Sequence, residues 1–186
     1  MANFKTFKPY GMLSQFVNNQ SRRKNKRLLG ELGDFPSGIM SVGRLDQDSE
    51  GLLFLTTDGK FSYHITSTDV EKEYWAQVDG MATQNHVNVL SKGVEISVYG
   101  KPYQTKPCKV RLMPHPEHLP KRAKSIRNED EHGKTSWLSI TLTEGKYRQV
   151  RKMTAKVGLP TLRLIRYRIG EETIDDMQVE EVRRLA

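Results

Sequence analysis

The chain has 186 residues, 36% of them hydrophobic and 28% charged, and 30 Lys+Arg against 22 Asp+Glu give it a net charge of +8. That length suits one domain, with room for two lobes around a shared core. No run approaches the ~18 apolar residues of a membrane span, the opening MANFKTFKPYG lacks the apolar stretch of a signal peptide, and the single Cys108 has no internal disulfide partner, so a monomer in a reducing cytoplasm without membrane contact is expected.

In chain order, the first distinctive segment is Ser21–Arg27, with five basic residues in seven and no apolar member. It reads as a solvated loop or arm. Leu52–Leu55 is a continuous apolar run before the turn signal Asp58-Gly59, consistent with a buried strand. Tyr74, Ala76 and Val78 alternate with Glu73, Trp75 and Gln77, as in a strand. Thr83 is placed to cap a helix that turns Val87 and Leu90 inward and ends at Gly93. Met113–Lys134, with three prolines, mixed charge and no periodicity, reads as a loop that a bound partner could order.

Leu138, Ile140 and Leu142 mark another strand by alternation. A helix over Tyr147–Val157 places Val150, Met153, Thr154 and Val157 in one stripe, with Arg148, Arg151 and Lys152 on a neighbouring face, and stops at Gly158 and Pro160. In Thr161–Ile169 the apolar positions shift phase after Leu164, which predicts a bulge near Leu164–Ile165. Helices and strands mix without a βαβ rhythm, so the expected fold class is α+β with a largely antiparallel sheet and a central cleft.

The charge is unevenly placed. Met1–Gly30 has seven basic residues and no acid, Gly145–Gly170 has eight and no acid, and Glu171–Ala186 is acidic. Such a field attracts a polyanion, in which Arg22, Arg23 and Lys24 would meet phosphates. No helix-turn-helix or zinc spacing points to a DNA regulator: His115-x-x-His118 with Cys108 is not a zinc pattern, and His64 and His86 stand alone. A non-catalytic RNA-binding or ribosome-assembly protein fits the same charge.

The densest motif is Val42–Gly59, VGRLDQDSEGLLFLTTDG. Asp46-x-Asp48-x-Glu50-Gly51 starts like a calcium loop but has Glu at its fifth position and Thr57 at its twelfth, so calcium is rejected and no metal is expected. The stretch closely resembles the central motif of the ribosomal RNA pseudouridine synthases of the small-subunit-uridine type. Lys8–Gln15 resembles that family's opening motif, Lys72-Glu73-Tyr74 its Lys-x-Tyr element, and Glu144–Met153 its last motif. The four stand in the family's order and cover most of the chain.

The resemblance implies an isomerase that needs no cofactor and acts on ribosomal RNA, with Asp46 as the catalytic carboxylate. Ser49, where the family often has Thr, is a conservative departure. A carboxylate beside the sugar can act as nucleophile or stabilise an oxocarbenium-like centre, and a guanidinium keeps it ionised in a dry pocket. The resemblance offers Arg151 for that ion pair; a phosphate contact is the other role open to Arg151, as to Arg148 and Lys152 on the same helix. Tyr74 would lie over the target uracil and help remove the proton at the new bonding carbon, or else be a core tyrosine, with Lys72 beside it. Arg44 would fill the stack vacated by the extruded nucleotide, or pair with Asp48 or Glu50. The chain resembles the family's short members, which act on large-subunit (23S) RNA, and no separate N-terminal RNA-binding domain is expected.

Overall fold

The computed structural model describes residues 1–18, 25–67 and 69–186. Arg22, Arg23 and Lys24 lie outside the described residues. The strands are β1 (Asn3–Lys8), β2 (Met40–Val42), β3 (Ser49–Thr56), β4 (Lys72–Asp79), β5 (Glu95–Val98), β6 (Lys101–Gln104), β7 (Lys109–Met113), β8 (Thr135–Leu142), β9 (Thr161–Ile169), β10 (Glu172–Thr173) and β11 (Val182–Arg184). The helices are α1 (Gly59–Thr66), α2 (Gln84–Lys92), α3 (Glu129–His132) and α4 (Gln149–Lys156). Among the described residues, the main sheet runs β11-β1-β3-β9-β4-β8-β7, with β2 on β3 and β10 on β9, while β5 and β6 form a separate hairpin. Only the β3–β9 pairing is parallel in this set, so the chain is α+β. Among the described residues no helix is long and apolar enough to cross a membrane.

Strand β3 is buried throughout, and its central run Leu52–Leu55 is apolar because both its faces are covered. Leu52 and Phe54 enter a core with Ile165 and Ile169, whereas Leu53 and Leu55 meet Met12, Leu29 and Leu45 on the other side. One edge pairs with β1 from Gly51 to Thr56; the opposite edge takes β9 at Ser49–Gly51 and β2 at Phe54–Thr56. The loop 43–48 leaves the sheet at this change of neighbour. Gly51 permits the handover: its φ is +111°, and a Cβ there would fall 2.3 Å from the Arg166 carbonyl oxygen.

The third core joins Ala76 and Val78 of β4, Leu138 and Ile140 of β8 and Leu164 of β9 to Val87 and Leu90 of α2 and Val150 and Met153 of α4. Thr83 caps α2, its backbone N–H donating to His86 Nδ1 at 3.0 Å, and Gly93 ends it.

Three local readings are corrected. Asp58-Gly59 is the start of α1, whose Lys60 N–H donates to the Asp58 carboxylate at 2.9 Å. The bulge is not at Leu164–Ile165: the irregularities against β4 fall at Glu73/Tyr74 and Gln77/Val78, where β9 passes Tyr167 and Leu162. The apolar phase changes because Leu164 and Ile165 point into different cores, which regular alternation allows. Finally, Met113–Lys134 contains the end of β7 and all of α3, and it is tied down. Arg163 donates to Pro120 O at 2.6 Å, Arg122 to Leu162 O at 3.1 Å, and Arg127 to Asp79 at 2.5 Å.

Candidate active site

The loop carrying Asp46 is clasped by the segment after β1. Ser14 Oγ donates to Leu45 O at 2.7 Å and accepts from Leu45 N–H at 3.0 Å. Gly11 N–H donates to Gln47 O at 2.8 Å, and Gln47 Nε2 returns a bond to Gly11 O at 3.3 Å. Leu45 is buried against Met12. The residues on either side of Asp46 are thus held, and its carboxylate is left about a third exposed, at 30%. This is the physical link between Lys8–Gln15 and the GRLD motif.

Sequence reasoning quoted Lys8 in a motif but gave it no role. It is fully buried and donates to Pro9 O at 2.8 Å and Met12 O at 2.7 Å. Burial lowers its pKa to about 7, against the opposing pull of Glu50, Asp48 and Asp46. Two carbonyl acceptors match the two N–H groups of a neutral amine. Glu50 itself is buried and paired bidentately with Arg163 at 2.9 Å for both bonds, which anchors β3 to β9 directly behind the loop.

The expected pairing of Asp46 with Arg151 is not the one formed. Arg148 Nη1 donates to Asp46 at 3.1 Å and to Asp48 at 3.0 Å, and its Nη2 donates to the second Asp48 oxygen at 3.0 Å. The reason is where the helix begins. α4 starts at Gln149, not Tyr147, and Arg148 is left-handed (φ 51°, ψ 35°), so its side chain departs from the helical face that carries Arg151. Arg151 instead holds the loop's backbone, donating to Asp48 O at 2.9 Å and Ser49 Oγ at 3.2 Å, with the Asp48 carboxylate 3.7 Å away. Burial raises the Asp48 pKa, but the Arg148 hydrogen bonds and the Arg151 charge outweigh it and hold the carboxyl below its ordinary value. Burial pulls the Arg151 pKa down against Asp48, and its Nε has no partner among the described residues.

A cavity of about 610 Å³ opens over β9, bounded on one side by the GRLD loop and on the other by β4, the end of β8 and the start of α4. Asp46, Arg44, Lys72, Tyr74 and Arg148 all line it. Tyr74 is half-buried against two cores while also lining the cavity, and its hydroxyl has no hydrogen-bond partner among the described residues. Arg44 is exposed and makes no ion pair there. Asp48 and Glu50 are held by other arginines, which removes the scaffold role for Arg44. Lys72 Nζ donates to Ser67 O at 3.2 Å, and burial together with the charge of Arg166 lowers its pKa. Arg166, 6% exposed, also lines the cavity, and its Nη2 has no hydrogen-bond partner among the described residues. Lys152 is outside the cavity, with Nζ 5.1 Å from the Tyr147 ring centre.

Glu144 was likewise missed as a structural residue. Its buried carboxylate accepts from the Tyr103 hydroxyl, from Lys106 N–H at 2.8 Å and from Gln149 Nε2 at 2.7 Å. It fixes the turn that delivers Arg148. Apolar periodicity cannot find such a residue; an acid just before a basic stretch was the signal available.

The fold and cavity define a protein with an arginine-held carboxylate beside an aromatic ring in a cationic cleft. Residues 6–156 match the RNA pseudouridylate synthase family, and the chain belongs to that family. It is 41% identical over 170 residues to the ribosomal large subunit pseudouridine synthase E of Xanthomonas axonopodis pv. citri, covering 90% of this chain and 85% of the relative. It is 39% identical over 183 residues to the protein of the same name from Vibrio vulnificus, covering 96% and 73%. A crystal structure of a pseudouridylate synthase matches with a TM-score of 0.75 at 26% identity, covering all of this chain and 70% of the other.

Proposed function

We propose that the protein isomerises a uridine of large-subunit ribosomal RNA to pseudouridine, with Asp46 as the catalytic carboxylate. The observation that carries this reading is the convergence of Asp46, Arg148 and Tyr74 on one cavity, in a chain about 40% identical to synthases of that name.

The reaction breaks the bond from ribose C1′ to uracil N1, turns the base and joins C1′ to C5; the proton on C5 leaves and one is gained at N1. Nothing is oxidised and no group is lost, so the chemistry balances without a cofactor. Asp46 meets the positive charge that develops at C1′, and Arg148 orients that carboxylate through a charge-assisted hydrogen bond. Tyr74 packs against the uracil, and its unengaged hydroxyl is available to the C5 proton. Arg44, exposed at the rim, fills the gap left by the extruded nucleotide. Lys72 and Lys152 meet the RNA backbone.

Pseudouridine mapping of ribosomal RNA tests the assignment in cells lacking the protein and in the same cells given wild type or Asp46→Asn. One large-subunit uridine should regain its modification with wild type alone. Asp46→Asn should still bind RNA. An identical map in all three strains would leave the non-catalytic RNA-binding reading.

A further inference from the structure

The β5–β6 hairpin closes through two residues, Tyr99 and Gly100, both with positive φ (49° and 77°). A two-residue turn of this kind is filled with least strain by Asn, Asp or Gly. Gly100 fits; a bulky tyrosine in the left-handed region does not. Packing does not account for Tyr99 either, since it is 83% exposed. Its ring lies nearly parallel to that of Tyr147, with centres 5.9 Å apart and planes at 17°. Tyr147 is itself 54% exposed and has Lys152 Nζ against its ring. Both tyrosines line the cavity that holds Asp46. Lys101 follows the turn and Lys146 precedes Tyr147, while the nearby Glu144 is buried and fully engaged.

We propose that Tyr99, backed by Tyr147, is a stacking platform for an unpaired RNA base flanking the target nucleotide. The proposal rests on the RNA-modifying reading above. Extruding one nucleotide leaves its neighbours unstacked, and an exposed ring among cations offers a base a π-face while the lysines meet the phosphates. A strained, exposed aromatic at the cavity mouth is a stability cost that such a role explains.

Tyr99→Asn separates the two effects, because Asn suits the turn better while removing the ring. The probes are a short single-stranded oligouridylate and an abasic ribose-phosphate oligomer of equal length. Wild type should prefer the base-bearing probe by ~10-fold or more, as stacking on one aromatic supplies. Tyr99→Asn should bind the oligouridylate ~10-fold more weakly, with the abasic affinity and salt slope unchanged and Tm equal or raised. Tyr99→Trp should keep the preference. Equal binding of oligouridylate by wild type and Tyr99→Asn overturns the platform, as does a wild type that ignores the bases. Ribosomal RNA modification is scored separately. A wild type that modifies RNA while Tyr99→Asn binds normally sinks the platform alone; one that grips bases through Tyr99 but modifies nothing sinks the catalytic reading alone.

Discussion

Arg148 joins Asp46 to Asp48, with one guanidinium nitrogen 3.1 Å from the first carboxylate and 3.0 Å from the second. The planar fork therefore sets the spacing of two acids two residues apart on a loop. Arg151, one turn further along α4, holds that loop by its backbone at Asp48 O. The two arginines divide the work: one orients carboxylates, the other fixes the chain that carries them.

That division predicts different losses. Arg148→Lys should lower the single-turnover rate at saturating RNA by ~10- to 100-fold with little loss of stability, because an ammonium is a point charge and cannot reproduce three directed bonds. Arg151→Ala should lower the rate and also destabilise the fold by ~1–3 kcal/mol, since Asp48 O and Ser49 Oγ lose their donor. Single-turnover kinetics and urea unfolding on the same preparations check both. A full rate in Arg148→Lys would show that Arg148 does not position Asp46.

Lys8 predicts a pH signature. Its pKa is about 7 in the folded chain and ~10.4 unfolded. Below pH ~7 it is charged in both states, so the folded protein bears the full cost of burying the ammonium. Between ~7 and ~10.4 the unfolded chain binds more protons, and stability rises with pH by up to ~1.4 kcal/mol per unit. Wild type should therefore gain about 2 kcal/mol more than Lys8→Met between pH ~7 and ~9. Parallel stability profiles for the two proteins would mean that Lys8 does not titrate in this window.

The basic segment before Lys26 predicts a salt effect. Neutralising Arg22, Arg23 and Lys24 together should weaken RNA binding and flatten its dependence on salt, each lost single-strand phosphate contact removing ~0.7 from the slope. The rate at saturating RNA should barely change. Binding across a salt series, with single-turnover rates beside it, is the measurement. An unchanged slope would place the phosphate contacts elsewhere.

Elements with a one-sided or two-sided apolar pattern were legible in the sequence: β3, β4, β8, α2 and most of α4. Those without one were not. Helix α1 buries none of its residues fully; only Phe61 and Ile65 pack against a core, a pair too short to read as a stripe, and Asp58 at its start was the remaining mark. Strand β7 is largely exposed and depends on pairing with β8. The bulges on β9 follow from its register with β4, a relation between residues far apart in the chain.

The sequence by itself determined the family, the carboxylate on which the chemistry is proposed to turn, and the basic surroundings, because motif identity, local periodicity and charge are properties of neighbouring residues. Which arginine reaches Asp46 was decided only by the tertiary structure. Arg148 and Arg151 are three residues apart and chemically identical; a left-handed backbone at Arg148, set by the turn that Glu144 and Gln149 close, aims one at the carboxylate and leaves the other against the loop. The same holds for Lys8 and Tyr99. A lysine becomes a buried amine whose pKa falls to about 7, and a tyrosine a strained exposed ring, through what the fold packs around each, and neither environment is written in its own stretch of chain.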